Sequence, residues 1–262
     1  MPTLPNEPHR ARQVAESFGA DAERYDRTRP AYPGALVKRL AAAGTAVLDA
    51  GCGTGITARP FQAAGCRVLG VDPDARMADL ARHGGVETEV STFEAWDPAG
   101  RTFDTVIAGQ SWHWIDPVAG AAKAAEALRP GGRLAVFWNA FQLPPELAEA
   151  TLAAYREAVP DSPIFQRGLP GPEAYELMCA RASDGIRRAG AFEDPEQWRF
   201  PWERHYTRAE WLDQVPTFGG HSQLPPDKQQ HVLAAMGTAI DTMGGEFTMA
   251  YTTAVATAIR CG

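Results

Sequence analysis

The sequence lacks long apolar runs and closely spaced cysteines, and both absences limit what the protein can be. No run of 18 apolar residues occurs among its 262 residues, which argues against a membrane-spanning helix. The first eight residues contain no apolar segment of the signal-peptide type, so we expect a cytoplasmic protein. The four cysteines are scattered without metal-type spacing. We therefore expect reduced thiols, no disulfide framework and no metal site.

An excess of basic residues is also missing. The formal net charge is −7, whereas proteins that hold a phosphate backbone usually cluster lysine and arginine. We therefore expect a small-molecule substrate, with neither nucleic acid nor a membrane as partner. The length and an apolar content of 45% suit one large domain with an ordinary packed core.

The most informative residues present run from Val47 to Gly55, where an apolar strand meets a turn with three glycines, Gly51, Gly53 and Gly55. Glycine permits a sharp bend and lets a ligand approach bare backbone. The first turn of a following helix offers N–H groups to an anionic group. The dinucleotide fingerprint needs a glycine where this sequence has Ile56. The spacing therefore indicates a nucleotide-type ligand but argues against a nicotinamide or flavin enzyme.

Asp49 lies just before the glycine turn, and a second acidic residue, Asp72, ends the next apolar run, which begins at Val68. Asp72 is in the position expected for a contact to a ribose diol. With Asp72, the segment from Asp49 to Gly55 resembles the first motif of class I S-adenosylmethionine-dependent methyltransferases. The resemblance implies S-adenosyl-L-methionine as cofactor. It also implies an α/β fold with a doubly wound, mostly parallel seven-stranded sheet whose last strand is antiparallel.

The chemistry of that cofactor assigns roles to the turn. Its carboxylate suits N–H groups at the glycines and Thr54, and its ammonium suits the field of Asp49. Asp72 would accept two charge-assisted hydrogen bonds from the ribose hydroxyls. The alternatives are that the glycines only form a bend and that Asp72 only caps the next helix.

Adenine needs a slot with apolar walls. Met77, on the helix opened by Pro73, and Phe93 could supply them. Thr92, Phe93 and Glu94 also resemble the family segment that edges the adenine amino group, although the family often has an acidic residue where Thr92 stands. In the simpler alternative, Met77 and Phe93 are ordinary core residues.

The segment after the predicted fourth strand, Gly109 to Trp114, should lie at the sheet edge where ligands bind. It resembles the Gly-Gln-x-x-His-Trp stretch of a methyltransferase subgroup that includes trans-aconitate methyltransferase-like enzymes. The resemblance places Gly109 and Gln110 at the cofactor. The Asn/Asp-Pro-Pro-Tyr segment typical of enzymes that methylate DNA bases is absent here.

His113 is the candidate catalytic residue of this segment. Its ordinary pKa lies near 6.5, and burial would favour a neutral base that takes a proton from the nucleophile. Trp112 could offer a π face to the sulfonium, whereas we expect Trp114 in the core. In the alternative interpretation, His113 is itself a core residue bonded to backbone.

Alternating strand and helix patterns run from Thr45 to about Asn139, and a helix is expected to start at Pro117 with Asp116 as its cap. The predicted parallel strands are Val47–Asp49, Arg67–Val71, Val86–Val90, Phe103–Ala108 and Arg133–Trp138. Glu196–Tyr206 and Glu246–Arg260 are predicted as a final antiparallel pair.

We predict one domain, 1–262, with four parts. They are an N-terminal helical arm (1–43), a cofactor-binding half (44–140), an inserted cap rich in proline (141–195) and C-terminal strands with a helix (196–262). The arm resembles the entry segment of many small-molecule methyltransferases, which implies that Tyr25 and Arg29 lie near the cofactor carboxylate and sulfonium. The alternative is a solvated helix that packs Tyr25 on the core.

The resemblance implies direct in-line transfer of a methyl group to a small molecule, without a metal or a covalent enzyme intermediate. Holding the reacting atoms in line can supply ~7–11 kcal/mol. Two other functions stay open, because fold and cofactor do not fix the reaction. One is an intramolecular cyclisation that releases methylthioadenosine, with the attack shaped by Asn139 and the cap, and the other is a non-catalytic cofactor-binding protein. The acceptor atom and the oligomeric state are not predicted.

Overall fold

The computed structural model describes residues 17–162, 165–166, 168–169 and 171–262. Seven strands form one sheet in the spatial order β3-β2-β1-β4-β5-β7-β6. The strands are β1 (Ala46–Ala50), β2 (Arg67–Asp72), β3 (Glu87–Val90), β4 (Phe103–Gly109), β5 (Leu128–Gln142), β6 (Glu196–Thr207) and β7 (Glu246–Ile259). The first 16 residues of the predicted arm lie outside the described residues.

Strand directions confirm the predicted fold class. β1 pairs in parallel with β2 and β4, and the β2–β3 and β4–β5 pairs are also parallel. β7 runs antiparallel to both β5 and β6. β5 is longer than the predicted strand because its pairing with β7 continues from Arg133 to Gln142.

Ten α-helices are described. They are α1 (Ala22–Thr28), α2 (Gly34–Ala41), α3 (Ala58–Ala63), α4 (Ala75–His83), α5 (Pro117–Ala127), α6 (Pro145–Ala158), α7 (Pro172–Ala189), α8 (Arg208–Gln214), α9 (Gly219–Ser222) and α10 (Pro226–Thr242). The expected start of α5 is confirmed. The Asp116 carboxylate accepts hydrogen bonds from the backbone N–H groups of Val118 (2.9 Å) and Ala119 (2.8 Å), and Pro117 takes the first helical position.

Helices cover both faces of the sheet. On one face, α5 buries an alanine-rich surface and α7 buries Tyr175, Cys179 and Ile186 in the cluster that contains Val136 and Trp138. On the other face, α2 and α3 pack Leu36, Leu40 and Phe61 against the sheet. These two apolar layers hold the carboxyl ends of β1, β2 and β4 at one common edge.

A third apolar cluster lies beside the sheet, where α6, α8 and α10 surround the outer parts of β6 and β7. Trp211 and Tyr206 are fully buried at its centre. The region predicted as an inserted cap therefore contributes two helices with different surroundings, because α6 packs on α10 whereas α7 packs on α5 and the sheet. The division of the chain into four parts stays a prediction.

No helix in the described part of the chain is both long and apolar enough to cross a membrane. All four cysteines are free thiols, three of them buried and Cys261 exposed. Within the same residues, no group of three or more histidine, cysteine, aspartate or glutamate side chains is placed to hold a metal ion.

Candidate active site at the carboxyl edge of the sheet

A cavity of about 260 Å³ opens at the edge where the parallel strands end. This size lies close to the lower end of the ~300–1,000 Å³ typical of small-molecule sites. Fourteen of the residues predicted for the site line it. They are Tyr25, Arg29, Gly51, Gly53, Thr54, Asp72, Pro73, Met77, Thr92, Phe93, Glu94, Gly109, Gln110 and His113. Asp49, Gly55 and Trp112 lie outside its wall.

The glycine turn is built on left-handed backbone. Gly51, Gly53 and Gly55 have φ values of +72°, +53° and +87°, which strain any other residue. A Cβ on Gly51 would also lie 2.5 Å from the Ser111 Cβ. The turn is longer than expected, because helix α3 begins only at Ala58. The cavity therefore meets an extended stretch of bare backbone before the helix starts.

Asp72 ends β2 and holds the turn in place. Its Oδ2 accepts from the Gly53 N–H at 2.8 Å and its Oδ1 accepts from the Asp74 N–H at 2.9 Å. Burial raises the pKa of Asp72 to about 6, although these two hydrogen bonds oppose the shift. Asp74, and not Asp72, caps the next helix, since its side chain accepts from the Arg76 N–H. Asp72 is thus left with its remaining lone pairs at the cavity.

Asp49 lies behind the turn on β1 and has no exposed surface. Both of its carboxylate oxygens are buried without a hydrogen-bond partner in the structure. Burial, reinforced by the negative charge of Asp72, raises the pKa of Asp49 to about 8. A buried carboxyl group without a partner is costly, and a cationic ligand near the turn would offset part of that cost.

The side of the cavity near β2 and β3 has apolar walls with polar groups at its edge. Met77 and Phe93 are almost fully buried, yet both line the cavity, so they serve the core and the site together. The Glu94 side chain accepts from the Asp116 N–H at 3.0 Å. This contact fixes the segment from Thr92 to Glu94 against the start of α5.

The N-terminal arm contributes Tyr25 and Arg29 to the cavity wall. The Arg29 guanidinium lies 4.9 Å from the Tyr25 ring centre and 4.5 Å from that of Phe218. Its Nη2 donates to the Thr217 carbonyl, whereas its Nε is buried without a partner. The arm therefore places the Arg29 cation in the cavity wall.

Trp112 and Trp114, which follow β4, have the reverse of their expected positions. Trp112 is 2% exposed and belongs to the core, where its Nε1 has no partner. Trp114 lines the cavity and contacts the Phe18 ring edge-on. This placement corrects the expectation that Trp112 faces the ligand and Trp114 the core. Gln110, just before them, has a φ of +58°, a strained value for a non-glycine residue.

His113 lines the cavity next to Trp114, and its ring accepts a hydrogen bond from a residue on the neighbouring strand. The Trp138 Nε1–H donates to the His113 Nδ1 at 3.1 Å. Burial lowers the pKa of His113 to about 3. His113 thus lies in the cavity wall, in an environment that opposes protonation of its ring.

Further lining residues were not predicted as site residues. Phe18, Tyr32, Trp138, Phe141, Tyr175, Met178 and Phe218 belong to this group, and Asn139, expected at the site only for the cyclisation alternative, also lines the cavity. For Trp138 to Phe141 a signal was available, because they follow the rule that ligands lie at the carboxyl ends of parallel strands. The Asn139 side chain already has hydrogen-bond partners within the protein, since it donates to the Ala31 carbonyl and accepts from the Thr253 hydroxyl. Tyr175 and Phe218 lie on distant helical segments that no local pattern marks.

A mostly parallel seven-stranded sheet with a glycine turn and an acidic strand end defines a Rossmann-like α/β protein with a nucleotide-type site. A family model described as a methyltransferase domain matches residues 25–156, which is half of the chain. The protein therefore belongs to this methyltransferase family. The match includes the glycine turn, Asp72 and His113.

Two curated relatives extend the comparison. An uncharacterised methyltransferase of Mycobacterium bovis is 37% identical over 131 residues, which are 49% of this chain and 54% of the relative. The chain thus spans about half the length of the mycobacterial relatives it matches. A ubiquinone biosynthesis O-methyltransferase of Xylella fastidiosa is 30% identical over 182 residues, 64% of this chain and 70% of that protein.

Solved structures show the same fold at lower identity. A candidate type II methyltransferase from Anaeromyxobacter dehalogenans superposes with a TM-score of 0.60 and 24% identity, covering 89% of this chain and 97% of its own. A phosphoethanolamine N-methyltransferase from Haemonchus contortus, in complex with phosphomonomethylethanolamine and S-adenosylhomocysteine, has a TM-score of 0.52 and 16% identity. It covers all of this chain and 62% of its own.

Proposed function

We propose that the protein is an S-adenosyl-L-methionine-dependent methyltransferase that acts on a small molecule by direct in-line displacement and releases S-adenosylhomocysteine. One observation carries this proposal. The cavity of a chain from the methyltransferase family joins the glycine turn, the Asp72 carboxylate and the Arg29 cation at one sheet edge.

The unpartnered buried atoms fit the cofactor chemically. Asp49 contributes two carboxylate oxygens without partners, Thr54 a hydroxyl and Arg29 its Nε. A ligand with both a carboxylate and positive charges would offset the burial cost of all three side chains. When bound, S-adenosyl-L-methionine supplies an activated methyl group on a cationic sulfur.

In this proposal, Asp72 accepts from the ribose hydroxyls, because its lone pairs not used by the turn face the cavity. Met77 and Phe93 provide the walls of the adenine slot, with Pro73 and the segment from Thr92 to Glu94 at its edge. The ribose and the adenine are thus assigned to the side of the cavity where β2 and β3 lie, next to β1 in the sheet.

The amino-acid end of the cofactor is assigned to the other side. Arg29 and Tyr25 lie at its carboxylate, near the backbone of Gly51 and Gly53. Gly109 and Gln110 line the cavity at the end of β4. The aromatic walls at β4 and β5 exclude water and hold the acceptor close, so positioning supplies much of the rate.

The acceptor is proposed to be a small molecule and not nucleic acid, because a net charge of −7 opposes binding of a phosphate backbone. We also propose a cytoplasmic location, since all four cysteines are free and the Cys261 thiol is exposed.

The decisive experiment incubates the protein with methyl-labelled S-adenosyl-L-methionine and a metabolite extract, followed by mass spectrometry. We expect a labelled product together with S-adenosylhomocysteine. Methylthioadenosine would show a cyclisation of the cofactor tail instead. Failure of calorimetry to detect binding of S-adenosylhomocysteine would overturn the proposal as a whole.

A further inference from the structure

The hydrogen bond between Trp138 and His113 fixes the protonation pattern of the histidine ring. An indole N–H can only donate, so the His113 Nδ1 that receives it at 3.1 Å must be the unprotonated nitrogen. The proton of the neutral ring is therefore on Nε2. Trp138 is 1% exposed on β5, which leaves its indole little freedom to turn away. No hydrogen bond to Nε2 is present within the described residues.

This pattern is poorly suited to a general base. Burial lowers the pKa of His113 to about 3, so the ring stays neutral at physiological pH. The single lone pair of the neutral ring is already used by Trp138. His113 can therefore offer an N–H group to a ligand, but it has no free position at which to take a proton.

Besides Arg29, the other titratable side chains that line the cavity are three carboxylates, three tyrosines and Cys52, and burial raises the pKa of the Cys52 thiol well above its usual value. The carboxylates of Asp72, Asp74 and Glu94 lie toward β2 and β3, and each accepts hydrogen bonds from backbone or from Arg76. Tyrosines face the cavity from other elements, namely Tyr25 on α1, Tyr32 before α2 and Tyr175 on α7. Burial raises the pKa of Tyr32 and of Tyr175 well above the usual range, so both phenols stay protonated.

The carboxylates lie on the side of the cavity near β2 and β3, and the other charged group in its wall is Arg29. Arg29 places its guanidinium in the wall between the Tyr25 and Phe218 rings, and its Nε has no partner. The remaining wall here is apolar, with Phe141 and Met178. Because Arg29 is assigned to the cofactor carboxylate, the donor left for the acceptor is the His113 Nε2–H, from which an oxygen anion can accept and an ammonium group cannot.

We propose that His113 donates its Nε2–H to an acceptor oxygen that is already ionised when it binds, a carboxylate or an acidic hydroxyl on an apolar small molecule. Trp138 is the positioning residue that keeps His113 in this form. The inference rests on the proposed function, because it concerns the acceptor of the same methyl transfer. The oxygen anion forms its bond to the methyl carbon while the carbon–sulfur bond breaks and its electron pair stays on sulfur. No proton is released, and both products are neutral at the reacting atoms.

The tautomer can be tested without a substrate. Protein labelled with ¹⁵N-histidine is observed by NMR from pH 5 to pH 8, with His113→Gln used to assign the signals. We expect a proton on Nε2 and no titration of His113 over this range. In Trp138→Phe the ring should show both tautomers and titrate at higher pH. Trp202→Phe is the matched control, since its Nε1 donates to Thr253 and not to His113. A wild-type His113 with its proton on Nδ1, or one that titrates near 6.5, would overturn the proposal.

The acceptor class is tested with two flat probes of opposite charge, benzoate and benzylamine, by calorimetry in the presence of S-adenosylhomocysteine. We expect benzoate to bind at least about tenfold more tightly, a difference of ~1.4 kcal/mol. His113→Gln keeps an N–H donor and should keep much of this preference, whereas His113→Leu should lose it. Absence of a preference for benzoate, including no binding of either probe, contradicts this proposal alone. Absence of S-adenosylhomocysteine binding would instead speak against the proposed function.

Discussion

Arg59 and Asp26 form an ion pair, with 2.7 Å between Nη2 and Oδ1, that ties the N-terminal arm to the glycine turn. The same arginine donates from Nη1 to the Thr54 carbonyl at 2.8 Å. One side chain thus connects α1, which carries Tyr25 and precedes Arg29, with the backbone that borders the cavity. Because of this link, the position of the arm and the shape of the turn are coupled.

Asp26→Asn is therefore expected to weaken binding of S-adenosylhomocysteine while leaving the fold intact. A partly exposed ion pair contributes about 0.2–1 kcal/mol, so we expect a loss of affinity of about two- to fivefold, measured by calorimetry. Asp184→Asn is the control, because Asp184 pairs with Arg187 on the exposed side of α7. If Asp26→Asn and Asp184→Asn bind S-adenosylhomocysteine with equal affinity, the ion pair between Arg59 and Asp26 does not influence the site.

Asp72→Ala should reduce the affinity for S-adenosylhomocysteine by about tenfold or more, because charge-assisted hydrogen bonds are each worth about 1.5–3 kcal/mol. The variant also loses the acceptors of the Gly53 and Asp74 N–H groups, so its folding is checked by circular dichroism. Asp79→Ala removes an exposed carboxylate from α4 that pairs with Arg82 and should bind normally. If folded Asp72→Ala binds S-adenosylhomocysteine with wild-type affinity, Asp72 does not bind the ribose hydroxyls.

Asp49 is expected to give the ligand-free protein a specific pH dependence. Its pKa is raised from an ordinary value of about 3.9 to about 8 in the folded state. Between these values the folded protein binds more protons than the unfolded chain, so the contribution of Asp49 to the free energy of unfolding falls as pH rises and levels off above pH 8. Asp49→Asn has no such proton, and the variant should gain stability over the wild type as pH increases.

The measurement is the difference in Tm between Asp49→Asn and the wild type from pH 5 to pH 8. Taking the difference matters because the lowered pKa values of His113 and His221 give the opposite slope below pH 6.5. The same variant should bind S-adenosyl-L-methionine more weakly, since it lacks the negative charge near the cationic groups. A difference in Tm that is constant with pH would show that Asp49 is ionised in the ligand-free protein.

The sequence allowed prediction of those parts of the site that local backbone geometry determines. Three glycines with positive φ and an aspartate at a strand end are properties of short segments, and both were predicted in place. Contacts between segments distant in sequence carry no such local signal. The Trp138–His113 hydrogen bond and the stacking of Arg29 on Phe218 depend on how β5 and the helices near α9 pack. The donor role inferred for His113 therefore required the structure.

The exchange of Trp112 and Trp114 has a related cause. Both residues lie in one 3-10 turn, Trp112–Trp114, and residues two positions apart in such a turn point in different directions. The pattern shows that one tryptophan faces inward but not which one. The direction is set by tertiary packing, because Trp112 lies beside Gly120 and its ring centre is 6.2 Å from that of Phe93.

Alanine substitutions of the two tryptophans should therefore differ: Trp112→Ala should mainly lower stability, and Trp114→Ala should mainly weaken binding. Trp112→Ala removes a buried core side chain and should cost about 3–5 kcal/mol of unfolding free energy, measured by urea denaturation. Trp114→Ala takes a side chain from the cavity wall, so the loss of stability should be clearly smaller, while binding of S-adenosylhomocysteine or of the acceptor weakens. Phe18 contacts Trp114 edge-on, and Phe18→Leu should reproduce part of the binding defect. If Trp114→Ala proves the more destabilising change and Trp112→Ala the one that impairs binding, the assignment of these two side chains is reversed.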